Sequence, residues 1–355
     1  MMDTLRLIRT LRINNNGLIN KYPNIEQCIQ SLIGIQSQYF NHAALVIRSR
    51  VEKEISIEDL FSLLNNNRII DIWGQRSTLH FYHIDDWEKI ISSFGKTKCW
   101  VKKFCERNSF DYEEELKRLG ELFDEYGDLT TEQMIEMGTK PILIKNWGGL
   151  LIPLSLQGNI CIKRFNSFEP KHYISRNLII NKPFKREKEH LKALLFRYFS
   201  TYGPATCSDF LHWSGLHMDE VKNELDSLSG SLNTLIFNKN VYYYGRKSEY
   251  DECKNNIVNL LPKFDPLLVA YKNKSVLINE EYHSLVWKKA GQIDACIFVD
   301  GEFVGTWRYL INAKNIDFYI TICRILTSAL RQAICEKCLE YSRYMNKNIN
   351  KIIFE

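Results

Sequence analysis

What the sequence lacks narrows its class before any residue is singled out. No apolar run approaches the roughly 18 residues that a membrane-spanning helix needs. The amino-terminal stretch MMDTLRLIRTLRINNN has neither the long apolar centre nor the small-residue cleavage site of a secretory signal, so a cytoplasmic protein with no membrane partner is expected. The ten cysteines (28, 99, 105, 161, 207, 253, 296, 323, 335 and 338) are mostly tens of residues apart, which excludes a dense disulfide framework and points to reduced thiols. Cys335 and Cys338 form a lone CxxC with no second pair to complete four zinc ligands, and His80 and His83 form an HxxH with no nearby third ligand. No metal and no cofactor are therefore expected, and no nucleophile triad is recognisable. Net charge is only +5, far from the dense basic tail of a histone-like chain.

What is present suits a large folded chain. Its 355 residues exceed one ordinary domain, and an apolar share of 45% with 19 Phe, 18 Tyr and 7 Trp supplies material for more than one core. Basic residues gather in Arg6/Arg9/Arg12, in Lys96/Lys98/Lys102/Lys103 and in Lys182/Lys185/Arg186/Lys188. Each cluster reads first as a solvated helix face, though nucleic-acid contact is permitted. The acidic run Glu113–Glu115 reads as the dipole-favoured start of a helix.

Three times the chain passes through short amphipathic helices into a strand pair. Apolar spacing predicts helices near residues 3–12, 25–33, 42–51 and 57–65, then strands IIDIW and RSTLHFY parted by Gly74-Gln75. The second passage has a helix around 113–126, a helix TTEQMIEM capped by Thr130 or Thr131, the segment NWGGLLIPLSLQ and the strand NICIKRF. In the third, REKEHLKALLFRYFSTYG, PATCSDFLHWSG and LHMDEVKNELDSL precede two β-rich runs around Asn238–Asn240. Helices followed by a hairpin wing define a winged helix. Beyond residue 255, LLPKFDPLLVAY, ACIFVDGEFVGTWRYL and IDFYITI read as strands, with a tight turn at Asp300-Gly301, and TSALRQAICEKCLEYSRYM reads as a terminal helix. The expected fold is α+β: three tandem winged-helix modules (1–110, 111–180, 181–255) and a small C-terminal β domain with its terminal helix (256–355).

Five stretches spread in order along the chain, GIQSQ (34–38), WGQRSTLHFY (73–82), YGPATCSDFLHWSGL (202–216), LLPKFDPLLVAY (260–271) and IFVDGEFVGTW (297–307), together resemble the AlkZ-like (YcaQ-like) winged-helix DNA glycosylases. The resemblance implies a concave DNA-binding surface and a catalytic Gln-x-Gln motif, here Gln36 and Gln38, with the hairpin bearing RSTLH close to the DNA. This chain departs at Ser37, where the family usually has an aliphatic residue. A related branch carries a carboxylate at the second motif position, and Gln38 sides this chain with the branch that resembles crosslink-unhooking and alkylpurine-releasing enzymes.

Two neutral amides suit that chemistry. A purine alkylated on its imidazole-ring nitrogen is already cationic and leaves without a general acid, so the protein must only stabilise an oxocarbenium-like sugar and place a water. A carboxamide oxygen can accept from water and turn its negative end toward the developing cation. Residues i and i+2 share a side only on an extended segment, and Gly34 can end the preceding helix to provide one; spacing alone fits a continued helix with two exposed amides better, and it is the family resemblance that turns the reading to the extended segment. Strand alternation puts Arg76, Thr78 and His80 on one polar face for phosphate or groove contact, against the plainer reading of hairpin residues bonded to nearby backbone. Arg48 and Arg50 complete the candidate DNA contacts. The expected partner is duplex DNA with an alkylated purine, bound by a nucleoid-associated monomer. The alternative is a tandem winged-helix regulator that binds DNA and does no chemistry.

Overall fold

The computed structural model describes residues 4–95, 100–166, 168–180, 182, 187, 189–228, 230–245 and 256–355. Lys96, Lys98, Lys185, Arg186 and Lys188 of the basic clusters, Cys99 and Cys253, and the expected boundary near residue 255 lie outside the described residues. Among those described, no helix is long and apolar enough to cross a membrane. The fold is α+β, and the chain divides into two compact units. One comprises Met1–Leu60, Leu195–Trp213 and Asn223–Glu355, and the other Phe61–Leu194 and Ser214–Lys222.

The first unit is assembled from distant parts of the sequence. Helices Thr4–Asn15, Ile25–Ser31 and Phe40–Arg50 match the predicted apolar spacing. A five-stranded sheet runs in the order Asn348–Phe354, Asn315–Ile322, Glu302–Ile311, Cys296–Val299, Val258–Leu261. Its hairpin turns at Asp300-Gly301, as the sequence predicts: Val299 faces Glu302, and both turn residues have positive φ (48° and 82°). Two expectations change here. Of LLPKFDPLLVAY only Leu260 and Leu261 are strand, as the end of Val258–Leu261; Asp265 then caps a helix Pro266–Val269, because Asp-Pro supplies an N-cap acceptor and a preset first helical φ. The helix Ser328–Tyr344 is followed by strand Asn348–Phe354, which pairs in parallel with Asn315–Ile322. This strand lies at the sheet edge, and its Asn348, Asn350 and Lys351 are exposed while its isoleucines are half-buried. Tyr341 donates to Leu260 O at 2.5 Å and Trp307 Nε1 to Leu261 O at 2.9 Å, satisfying the polar tips of two large core rings.

Three buried cations tie these parts together. The Arg50 guanidinium meets both carboxylate oxygens of Asp265 at 2.7 and 2.8 Å, with neither side chain exposed, and its Nε donates to Asn16 O at 2.9 Å. Arg12 lies 3.6 Å from the Tyr271 ring centre and 3.8 Å from Asp209, and donates to Pro204 O. Arg48 pairs with Glu340 at 2.8 Å. The cluster Arg6/Arg9/Arg12 is thus no solvated face: only Arg6 is exposed, and Arg9 reaches Val276 O and Asn279.

The second unit has an antiparallel sheet in the order Leu79–His83, Ile69–Trp73, Ile160–Lys163, His172–Ser175, Asp128–Thr130. Helix Tyr112–Tyr126 is capped by Asp111, which accepts from Glu113 and Glu114 backbone N–H, and the acidic run occupies the first turn as expected. Of the two threonines, Thr130 is the cap of the next helix, forming a reciprocal box with Gln133. Leu116, Leu119, Phe123, Leu129, Met134 and Leu151 fill the core.

Replacing Arg50 with methionine leaves Asp265 buried without its cation. The expected loss is about 3–5 kcal/mol of unfolding free energy, read from urea denaturation at neutral pH. Affinity of the folded fraction for undamaged duplex should stay unchanged.

Candidate active site

The segment carrying the two glutamines is built by how a helix ends. Asn24 caps helix Ile25–Ser31 through Gln27 N–H. At the other end Gly34 N–H donates to Ile29 O and Ile33 N–H to Gln30 O, both at 3.1 Å, the two reversed bonds of a Schellman stop. The left-handed residue in that stop is Ile33 (φ 56°), followed by Gly34 at φ 95°. Sequence pointed to the glycine, whereas a β-branched isoleucine carries the strained first step. The last carbonyls of the helix also accept from side chains of helix Glu189–Tyr202: Arg197 donates to Gln30 O, Thr201 to Ser31 O at 2.7 Å and Tyr202 to Leu32 O at 2.6 Å.

With the helix stopped, Ile35–Gln36 is extended, and the i and i+2 side chains fall together. Gln36 Nε2 donates to Gln38 Oε1 at 3.4 Å, Gln36 being 8% exposed and Gln38 open to solvent. Ser37 between them is fully buried, so the smaller, polar residue at the family's aliphatic position still points inward. One hydrogen bond uses a fraction of what two carboxamides can donate and accept, leaving capacity for a water or a sugar oxygen.

Directly after the pair in sequence comes Tyr39, which belongs to a cluster that the sequence reading missed. Tyr39 stacks on Phe264 (centroids 5.3 Å apart, planes 12° apart) and donates through its hydroxyl to Gln292 Oε1 at 3.2 Å. Lys263 N–H donates to His42 Nδ1 at 3.3 Å, and the Lys263 ammonium pairs with Asp294 at 2.8 Å. Burial, reinforced by the Lys263 charge, pushes His42 down to about 4, so its imidazole is neutral. Tyr39 adjoins the motif directly, and KFDP carried a visible helix-start signal, but no short-range pattern joins residues 39 and 264.

The hairpin candidates lie in the other unit and differ from the alternation expected of them. Gln75–Ser77 is a 3₁₀ turn with Arg76 and Ser77 at φ 56° and 54°, so strand pairing resumes only at Trp73 with Leu79. Arg76 and Thr78 therefore sit in the turn rather than on a strand face, Arg76 half-buried and Thr78 donating to Gln75 O at 3.1 Å. Gly74 is required there, because a Cβ would collide with the Tyr82 hydroxyl, which itself donates to Gln75. Strand Leu79–His83 is buried on both faces, so the polar, DNA-side face is absent. His80 Nδ1 bonds to Thr78 O at 2.8 Å, as the plainer reading of a hairpin residue bonded to nearby backbone has it, and burial pushes its pKa down to about 3, so its imidazole is neutral. Arg48 and Arg50, in the first unit, are paired with Glu340 and Asp265, and the Arg50 side chain is fully buried.

Among the described residues no group of three or more His, Cys, Asp or Glu is placed to hold a metal ion. Cys338 is buried and Cys335 half-buried, both free thiols.

Residues 29–344 match the family described as DNA glycosylase AlkZ-like. An interstrand DNA cross-link repair glycosylase of Streptomyces sahachiroi is 24% identical over 310 residues, 80% of this chain and 82% of that protein. The solved structure of Streptomyces sahachiroi DNA glycosylase AlkZ superposes with a TM-score of 0.83 at 18% identity, covering 100% of both chains, which establishes a shared fold.

The two depressed histidines give stability a definite pH dependence. Each binds its proton less readily folded than unfolded, so unfolding takes up protons in acid. Their contribution is complete above the unfolded value of 6.5 and is lost as pH falls toward about 4 for His42 and about 3 for His80. Denaturation series between pH 7 and pH 4 should show His80→Asn losing stability less steeply than wild type.

Proposed function

The chain belongs to the AlkZ-like DNA glycosylases, and from that premise we propose that its substrate is duplex DNA carrying a cationic purine alkylated on the imidazole ring, 7-alkylguanine above all, with interstrand crosslinks through that position included. The observation that carries the reading is the amide pair: Gln36 and Gln38 are turned to one side by the helix stop and joined at 3.4 Å. Two neutral, oriented dipoles suit a leaving group that needs no protonation. They would stabilise the sugar cation and seat the attacking water, while normal guanine, lacking its own positive charge, would stay attached.

The crosslink part of the proposal draws on the printed name of the Streptomyces relative. A base tethered to the opposite strand cannot be fully extruded, which favours chemistry at an open surface over a deep base-holding pocket. Gln38 being open to solvent supports this. We read the helix-then-hairpin passages as winged-helix modules over 1–110, 111–180 and 181–255, with 256–355 as the C-terminal β domain, acting as a monomer whose affinity comes mainly from phosphates. Of the hairpin candidates, Arg76 alone keeps a cationic role. A regulator without chemistry is not favoured for a member of a glycosylase family.

The test is single-turnover release of 7-methylguanine from a duplex with one lesion, beside a binding assay. Gln36→Ala and Gln38→Ala should each slow release roughly ten- to a thousandfold with duplex affinity near wild type, since a dipole that matters in the transition state affects turnover more than ground-state binding. The double variant should lose less than the product of the singles, because both amides serve one water and one sugar. Wild-type rates in both single variants would refute the amide mechanism.

A further inference from the structure

Tyr39 is exposed yet immobilised, which is uncommon for a surface aromatic. It is 41% exposed. One face of its ring is covered by Phe264, its hydroxyl is held by Gln292, and His42 meets it edge-on at 6.5 Å and 78°. Trp147 and Phe168 are more exposed, but neither adjoins the amide pair in sequence.

The support beneath it is rigid. Phe264 is almost fully buried, at φ 56°, a region that aromatic residues rarely occupy. It is held on both sides: Lys263 by His42 and Asp294, and Asp265 by Arg50. Tyr39 thus has a fixed orientation before any ligand arrives, and a ring fixed in advance loses little entropy on stacking.

The charges around the ring favour one class of ligand. The face of a tyrosine is the negative side of its quadrupole, so it draws a cationic ring more strongly than a neutral ring of the same shape. The nearby Lys263 cation is neutralised by Asp294, and the His42 imidazole that meets the ring is itself uncharged, so neither competes for that face.

We propose that Tyr39 determines lesion specificity by receiving the cationic purine on its ring face, with Phe264 as the backing, while the attached sugar lies at Gln36 and Gln38. This rests on the amide reading above. It adds a second source of selectivity: beyond the intrinsic lability of the charged base, the ledge holds a cationic purine more tightly than a neutral one.

The test keeps the shape of the ring and drains its electrons. Position 39 of the full-length protein is filled with phenylalanine, then with mono-, di- and trifluorinated phenylalanine. Single-turnover release of 7-methylguanine is followed across enzyme concentrations, beside binding of a duplex bearing neutral 7-deaza-7-methylguanine. From phenylalanine to the trifluorinated ring, the concentration for half-maximal release should rise stepwise, roughly two- to thirtyfold overall, with the maximal rate changing less. Affinity for the neutral isostere should vary less than half-saturation by the cationic lesion. A purely structural role for the ring predicts a flat series, and a flat series overturns the proposal while leaving the amide mechanism intact. A wild-type protein that binds the lesion duplex and releases no 7-methylguanine overturns both. Gln36→Ala losing rate without a change in half-saturation, alongside a sloping fluorine series, supports the division of labour between amide and ledge.

Discussion

The buried pair between Arg50 and Asp265 is the constraint from which the arrangement around the glutamines follows. A guanidinium and a carboxylate are costly to bring out of water, and the cost is offset only when each finds partners for nearly all of its polar atoms. Here the guanidinium spends its donors on both carboxylate oxygens and on Asn16 O, while one of those oxygens also accepts from Leu267 N–H. So complete a set tolerates little displacement. It fixes the end of helix Phe40–Arg50 against the start of helix Pro266–Val269, and the start of the first of these helices is where the glutamine motif ends.

The same logic continues outward. Asp265 fixes Phe264 beside it, Phe264 backs Tyr39, and Tyr39 follows Gln38. On the other side, Arg197, Thr201 and Tyr202 take the carbonyls of the helix that precedes the motif. The five residues from Gly34 to Gln38 are therefore held at both ends by side chains far away in sequence. An amide can act as an oriented dipole only if its backbone is placed this firmly, since an unplaced carboxamide reorients like solvent and contributes little to the transition state.

Local chemistry made much of this visible in the sequence. Apolar periodicity located the N-terminal helices, Asp300-Gly301 announced its hairpin, and the acidic first turn of Tyr112–Tyr126 was evident from the run of glutamates. What escaped depends on partners distant in the chain. Arg48, Arg50 and Arg12 look like cations awaiting phosphate until Glu340, Asp265 and Asp209 are known to lie against them. His80 looks like a surface ligand until both faces of its strand are seen to be covered. The turn at Arg76 and Ser77 escaped for a different reason: two consecutive non-glycine residues in the left-handed region leave no compositional mark. Within the candidate site the motif itself was legible, while the ledge beside it was not, because Tyr39 and Phe264 are joined only by the fold.

The separation between Arg50 and Asp265, 215 residues, also bears on how the protein is made. At ordinary rates of synthesis, roughly ten to forty seconds pass between the emergence of the two ends of this pair. Throughout that interval the glutamines are already outside the ribosome while Asp265, which closes the buried pair, is not. Contacts of such long range also form late in folding, after loop closure has been overcome. Every nascent chain that stops short of Asp265 therefore carries the two glutamines without the buried pair that braces the segment after them.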